Sequence, residues 1–387
     1  MITVPSKTEY VIKTLTENGF EAYIVGGCVR DMLIGKTPID YDVTTSATPT
    51  EIIGLFEKTI PTGIKHGTVT VIIDGEPIEV TTFRLDIDYK DGRHPDNVKF
   101  VKSLKQDLAR RDFTVNAMAY NTDCGLKDYF CGINDLESKI LRAVGNPEKR
   151  FSEDALRILR LFRFSSVLGF KIEENTLKYA LKLSENLQKI SRERIAVELK
   201  KSVMGDNLIA FKPLIECGWL AFLGIKKVPD FSVISSLPKA LNLRLFAFLK
   251  LTGCDIESIA KTLKLSNDFE AYFKTLNRLS GSTLPKTKPQ LKRCLYISEN
   301  LETAFDYLAF INALGENTAN LSDWLSKIKS DNEPFLISHL DIDGNELKAL
   351  GYSGKDIGKM LETLLFAVMD EKIANEKESL KNYLINL

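Results

Sequence analysis

The apolar positions of this chain follow two periods. Through its first part they fall in short runs bounded by glycine, proline and aspartate, the pattern of strands and tight turns; from Phe151 onward they recur at helical spacing almost without pause. Residues 7–18 carry a helical stripe through Tyr10, Val11 and Leu15 that ends at Asn18-Gly19. An apolar strand over 23–25 runs into Gly26-Gly27 and a helix-like segment bearing Arg30 and Asp31. A turn over 35–38 then leads to a second strand containing Asp40 and Asp42. Residues 49–58 read as helix, with Thr48 as N-cap. Residues 66–73 and 78–84 form a hairpin around 74–77, because Asp-Gly between apolar runs specifies a turn. The polar stretch 85–97 has no period and predicts a long loop.

Beyond it, 104–108 lead to Arg110-Arg111-Asp112 and a further helix, which Asp112 is placed to cap, and 128–136 close the sheet region. In the helical part Ser152 is the expected N-cap of a buried helix, whose Leu156, Ile158, Leu159, Leu161, Phe162 and Phe164 cover most of the circumference. Asp154, Arg157 and Arg160 follow three apart on that helix. Breaks fall at Gly218-Trp219 and 235–238, a linker at 280–289, and a loop at 341–346 before two closing helices. The pattern is α+β: a head with a small mixed sheet, then an all-helical remainder.

Composition narrows the picture modestly. At 387 residues the chain has room for two to four domains, and 44% hydrophobic with 27% charged residues is an ordinary globular balance. Fifty-two basic residues offset fifty-two acidic ones, so a nucleic-acid partner must be met by a local patch. The lysines of 280–289, with Lys292 and Arg293, are the basic run suited to a phosphate backbone, or else a solvated linker. No leader-like start or bilayer-length apolar run is present, so no membrane partner is expected and the cytoplasm is the expected compartment. Six scattered cysteines without a C-x-x-C, and three histidines, point to free thiols rather than a zinc centre.

The chemistry concentrates in the head. Strand side chains alternate, so Asp40 and Asp42 project together while Ile39, Tyr41 and Val43 take the other face. Adjacent carboxylates repel unless a cation sits between them, and hard oxygen ligands favour Mg²⁺. Paired glycines at a helix start let backbone N–H groups approach an anion. Arg110 and Arg111 form a second anion site. On the helix after Ser152, the charges read either as an internal ion-pair ladder or, with three arginines against few acids, as positive charge left over for an anion.

The run Gly-Gly-x-Val-Arg-Asp followed by Asp40-x-Asp42 resembles the signature of polymerase-β-like nucleotidyltransferases, and most closely the class II tRNA nucleotidyltransferases and bacterial poly(A) polymerases. Arg-Arg-Asp-x-x-x-Asn-Ala from Arg110 and Glu-Asp-x-x-Arg from Glu153 are similar to two further motifs of that family. The resemblance implies addition of C, C and A to the 3′ end of tRNA from CTP and ATP; the alternatives are CC-only or A-only addition, or poly(A) synthesis. It implies Mg²⁺ on Asp40 and Asp42, with Glu79 as third carboxylate. Gly26, Gly27, Arg30 and Arg111 hold the triphosphate, and Asp112 the ribose. Asp154 and Arg157 read the base, with Arg160 and Arg163 in support. A carboxylate accepting from an exocyclic amine, beside a guanidinium donating to a ring nitrogen, suits C and A and rejects U and G. The 85–97 stretch matches the loop that serves the change from C to A. The implied division is head 1–142, neck 143–204, body 205–280 and tail 281–387, the tail meeting tRNA. Oligomeric state is not legible.

Overall fold

The computed structural model describes residues 3–87, 97–218 and 220–386. They form two compact units, Met1–Phe222 and Leu223–Leu387.

Among its described residues the first unit has eleven strands: β1 (Ala22–Val25), β2 (Val43–Thr45), β3 (Thr59–Gly63), β4 (Thr68–Ile73), β5 (Glu76–Thr82), β6 (Arg84–Ile87), β7 (Asn97–Phe100), β8 (Met118–Asn121), β9 (Gly125–Asp128), and the short pair β10 (Ile140–Leu141) and β11 (Lys171–Ile172). Seven of them make one mixed sheet in the order β3-β4-β5-β2-β1-β8-β9. Within that sheet only β2 and β5 run parallel, with Val43 opposite Val80 and Thr45 opposite Thr82. The β4–β5 hairpin turns on two residues rather than four. Asp74 and Gly75 both take positive φ, +47° and +82°, so Ile73 pairs directly with Glu76.

Strands β6 and β7 pair with each other, Arg84 opposite Phe100 and Ile87 opposite Asn97. The ends of the expected 85–97 loop are therefore strand; its interior, 88–96, lies outside the described residues.

Among the described residues of this unit ten α-helices flank or follow the sheet: α1 (Ser6–Glu17), α2 (Gly27–Leu33), α3 (Pro49–Leu55), α4 (Leu104–Ala109), α5 (Gly132–Glu137), α6 (Pro147–Glu153), α7 (Leu156–Leu168), α8 (Glu174–Lys182), α9 (Arg192–Ser202) and α10 (Lys212–Glu216). Thr48 caps α3 as expected, in a reciprocal box with Glu51, although the helix stops at Leu55. One core cluster, including Tyr23, Val25, Phe83, Leu104, Leu108 and Ala119, joins β1 and β8 to α4 and so fixes the segments that carry the charged residues.

Three expectations fail locally. Asp112 is followed by a single 3-10 turn, Thr114–Asn116, and then strand β8, so it caps no helix. Ser152 lies inside α6, its Oγ donating to the Glu148 carbonyl; the real cap is Asn146, with Pro147 at the first helical position. The helix also breaks at Asp154, whose extended backbone (φ −141°, ψ 105°) separates α6 from α7. Asp154 therefore does not share a helical face with Arg157 and Arg160. The apolar side chains of α7 from Leu156 to Phe164 are buried as their spacing predicts.

The second unit is helical from Phe231 to Ile385. Three residues of its basic run are tied down internally: Lys288 and Lys292 pair with Glu333, and Arg293 with Asp370 at 2.9 Å. That disfavours its reading as a free phosphate-binding patch. Asp343 caps Gly344–Ala349, and three helices, not two, close the chain. Among the described residues no helix is long and apolar enough to cross a membrane.

Candidate active site

The glycine turn is required by geometry at its first position. Gly26 has φ +84°, and a Cβ there would stand 2.9 Å from Arg111 Nη1. At Gly27 an added Cβ would meet Arg30 Nη2 at an ordinary 3.6 Å. Arg30, buried behind the turn, donates through Nη1 to Asn116 Oδ1 at 2.6 Å and through Nε and Nη2 to Asp31. The turn thus sits between two fixed guanidiniums.

Asp40 and Asp42 lie in the segment just ahead of β2, not on the strand expected to carry them, and Val25 N–H donates to the Asp42 carbonyl at 3.0 Å, which ties that segment to β1. Stepping the parallel β2–β5 register back one residue from Val43–Val80 sets Asp42 alongside Glu79. All three carboxylates line one open cleft of about 530 Å³. Asp42 and Glu79 also border a smaller hollow of about 140 Å³, walled by Arg84, Arg110 and Arg111. The Asp42 side chain reaches solvent yet is crowded by protein. That desolvation is the first cause of its raised carboxyl pKa; Arg111 opposes the shift and Asp40 adds to it. Glu79 is raised likewise, by desolvation first and then by Asp42 and Asp40.

Among the described residues no three His, Cys, Asp or Glu side chains enclose a cation by themselves. The donor set still fits one. Mg²⁺ is usually held by one or two carboxylates plus phosphate oxygens and water, not by an all-protein cage, and mutually repelling carboxylates are relieved by it.

The arginines are handled differently. Asp107, completely buried, accepts from Arg110 Nε and Nη2 at 2.9 and 2.8 Å, from Thr44 Oγ1 and from the Arg84 N–H. Its Oδ2 lies 3.6 Å from Arg111 Nη2. Burial alone would raise the Asp107 carboxyl, but Arg110 and Arg111 outweigh it and hold it low. Arg111 Nε is buried without a hydrogen-bond partner among the described residues, a donor available to an anion at the glycine turn.

Asp112 has all four acceptor sites engaged: Oδ1 by Phe113 N–H and Asn116 Nδ2, Oδ2 by Arg160 Nε and Nη2 at 2.8 and 2.6 Å. Burial works against its charge, and Arg160 prevails, bringing the carboxyl down to about 2.

The expected Asp154–Arg157 pair is not formed in this state. Asp154 accepts from Leu156 N–H and from Arg194 Nη2 at 3.0 Å. Arg157 donates to Glu153 and to the carbonyls of Arg150 and Arg110. Arg163 meets Glu198 at 2.7 Å. Each arginine of α7 therefore has a carboxylate, so the surplus positive charge expected there is absent. Glu153 is local to Arg157, but Asp112 and Glu198, the partners of Arg160 and Arg163, come from distant segments that local counting does not reach. Arg30, Arg160 and Arg163 also surround the Phe164 ring, at 5.2, 5.4 and 4.1 Å from its centroid. Asp107, Arg84, Arg194 and Glu198 were not singled out from sequence. A buried acid at helical spacing before the paired arginines was the available signal for Asp107.

Carboxylates facing a glycine turn and an arginine wall on a small mixed sheet, extended by helices, define a nucleotidyltransferase. Residues 22–142 match the family model of the poly A polymerase head domain. Residues 169–226 match that of the probable RNA and SrmB-binding site of polymerase A, and 240–384 that of the putative tRNA nucleotidyltransferase domain 2. The chain is 36% identical to a CCA-adding enzyme of Oceanobacillus iheyensis over 100% of its own length and 98% of the relative's. It is 38% identical to a CCA-adding enzyme of Pediococcus pentosaceus, over 96% and 95%. The crystal structure of the Bacillus stearothermophilus CCA-adding enzyme in complex with CTP superposes with a TM-score of 0.83 at 30% identity, covering 100% of this chain and 98% of that one. The chain belongs to the CCA-adding enzymes of the tRNA nucleotidyltransferase and poly(A) polymerase family.

Proposed function

We propose that this protein adds C, C and A in turn to the 3′ end of tRNA, taking CTP and ATP, releasing pyrophosphate and reading no nucleic-acid template. The observation that carries the reading is the opposition of the Asp40, Asp42 and Glu79 cleft to the Arg84, Arg110 and Arg111 hollow, with Asp42 and Glu79 in both.

Asp40 and Asp42, with Glu79 beside them, hold Mg²⁺. When bound it lowers the pKa of the acceptor hydroxyl and neutralises charge developing on the leaving pyrophosphate. The Gly26 turn, its own N–H donated to the Met118 carbonyl, brings the Gly27 N–H at the start of α2 to the phosphates, and Arg111, held by Asp107, donates from the side. Arg30 keeps the α2 end of the turn in place through Asn116. Asp112 meets the ribose by exchange, a ribose hydroxyl taking the place of one Arg160 N–H at Oδ2. Asp154 and Arg157 select the base by exchange: the exocyclic amine of C or A takes the place of Arg194 at Asp154 Oδ2, while Arg157 turns from Glu153 to the ring nitrogen. Arg160 and Arg163 support that wall.

The head, neck, body and tail division at 142, 204 and 280 accompanies this reading, with the tail carrying tRNA contacts and the cytoplasm as its compartment. The test is nucleotide incorporation into four RNAs: tRNA lacking CCA, tRNA ending in C-C, mature tRNA and an unstructured oligonucleotide. The expected result is three additions, one addition, none and none. Long adenylate tracts on the oligonucleotide would mean poly(A) synthesis instead.

A further inference from the structure

Arg30, Arg160 and Arg163 come from two helices, α2 and α7, yet all three guanidiniums converge on the ring of Phe164. Phe164 follows Arg160 by one helical turn, so the two share a face of α7. The ring is buried and meets Phe113 edge to face, at 5.8 Å and 83°. Each arginine also has an acid: Asp31 for Arg30, Asp112 for Arg160 and Glu198 for Arg163. Positive charge is crowded there nonetheless. Arg163 is drawn below the ordinary arginine value by desolvation first; Glu198 opposes the shift, and Arg160 and Arg30 add to it. A leucine would fill the same space, but only an aromatic ring turns a negative face to cations.

The three arginines differ in what they can reach. The side chains of Arg30 and Arg163 are 8% and 14% exposed, and that of Arg160 is 35% exposed. Arg160 is therefore the one of the three most open to a ligand. Its pair with Asp112 engages Nε and Nη2 and leaves Nη1 outside the pair. Under the proposed function, on which this inference rests, a ribose hydroxyl displaces one of those N–H groups from Asp112. The guanidinium then loses part of its carboxylate clamp just as the nucleotide arrives. The ring contact does not compete with the ribose, so it survives the exchange. We infer that Phe164 is a positioning residue for the incoming nucleotide: its ring keeps the Arg160 guanidinium at the nucleotide site while Asp112 turns to the ribose.

The experiment uses the full-length enzyme and tRNA transcripts lacking CCA. Phe164 is replaced by mono-, di- and trifluorinated phenylalanine, which keep the shape of the ring and withdraw electron density from its face. Phe164→Leu is made alongside. The expected result is a stepwise rise in KM for CTP along the series, several-fold at its end, with Phe164→Leu at least as impaired. KM for tRNA and the melting temperatures of the fluorinated enzymes should hold, because volume and burial barely change. Dideoxy-CTP has no ribose hydroxyl to displace Arg160, so its inhibition constant should stay flat across the series. If Phe164→Leu fails to fold, the fluorinated series decides by itself.

A flat series for CTP, or a rise in KM for tRNA in its place, overturns the inference and leaves the ring as packing. Equal slopes for CTP and dideoxy-CTP assign the ring to Arg30 or Arg163 and overturn its role toward Arg160. Failure of the wild type to add CMP overturns the functional reading and the inference together.

Discussion

The carboxylate cleft and the arginine wall of the first unit are both dense in charge, and they dispose of it in opposite ways. Asp40, Asp42 and Glu79 face one another across an open cleft with no cation of the chain bonded to them among the described interactions, and repulsion adds to the raised pKa of two of them. Opposite, Arg110, Arg111, Arg157, Arg160, Arg163 and Arg194 are each matched to a buried or half-buried acid. Like charges left together are unfavourable for folding and favourable for binding a counter-ion. Matched charges fix positions. The cleft is therefore where chemistry is expected, and most of the arginine wall is the frame that aims a few donors at it.

The sharpest way to break this contrast is Asp42→Ala. Loss of a metal ligand should lower CMP incorporation roughly a thousandfold or more, equivalent to about 4 kcal/mol of transition-state stabilisation. Folding should not suffer. The raised Asp42 pKa means that its charged form opposes folding at neutral pH, a cost relieved as pH falls through the folded pKa. The variant should melt at the wild-type temperature or slightly above, and near-normal incorporation would remove Asp42 from the site.

Asp107→Asn reverses that outcome on the other side. It leaves Arg110 and Arg111 facing a neutral amide in a fully buried position, which should cost about 3 kcal/mol of stability by denaturant titration. In the fraction that folds, KM for CTP and ATP should rise while KM for tRNA holds, because Arg111 loses its anchor. A stable variant with unchanged KM values would show that Asp107 positions nothing.

Asp112→Asn has a pH signature. The carboxyl lies at about 2 in the folded chain against an ordinary 3.8, so its contribution is full above the ordinary value and disappears as pH falls through about 2. The variant should be less stable than wild type by roughly 2 kcal/mol at neutral pH, with the gap closing in acid. A gap independent of pH would mean that packing, not the Arg160 ion pair, accounts for it.

Asp154→Ala tests the one paired acid that is also proposed to read the base. Loss of selection, with UTP or GTP admitted alongside CTP, should amount to about 1–3 kcal/mol of discrimination. Equal loss of CTP and UTP incorporation in a folded variant would place Asp154 with the frame, as the partner of Arg194 and the acceptor from the Leu156 N–H.

The composition of the cleft was legible because its determinants are local. Asp40 and Asp42 came together in the cleft although the expected strand begins only at Val43, and the turn before α2 needed glycine at Gly26 for a backbone angle no other residue takes cheaply. Helical spacing likewise marked the buried face of α7. The ion pairing was not legible. Arg160 and Asp112 are 48 residues apart, and Arg157 bonds a carbonyl 47 residues away, so acids and arginines counted within one segment gave the wrong balance. The helix boundary at Asp154 was missed as well, because Arg194 and the Leu156 N–H reward an extended backbone that helical spacing alone would not choose. Sequence determined which side chains share a strand or a helix face, since backbone period dictates that. Tertiary packing decided which charges cancel, since a Coulomb partner is chosen by distance in space and by removal from water.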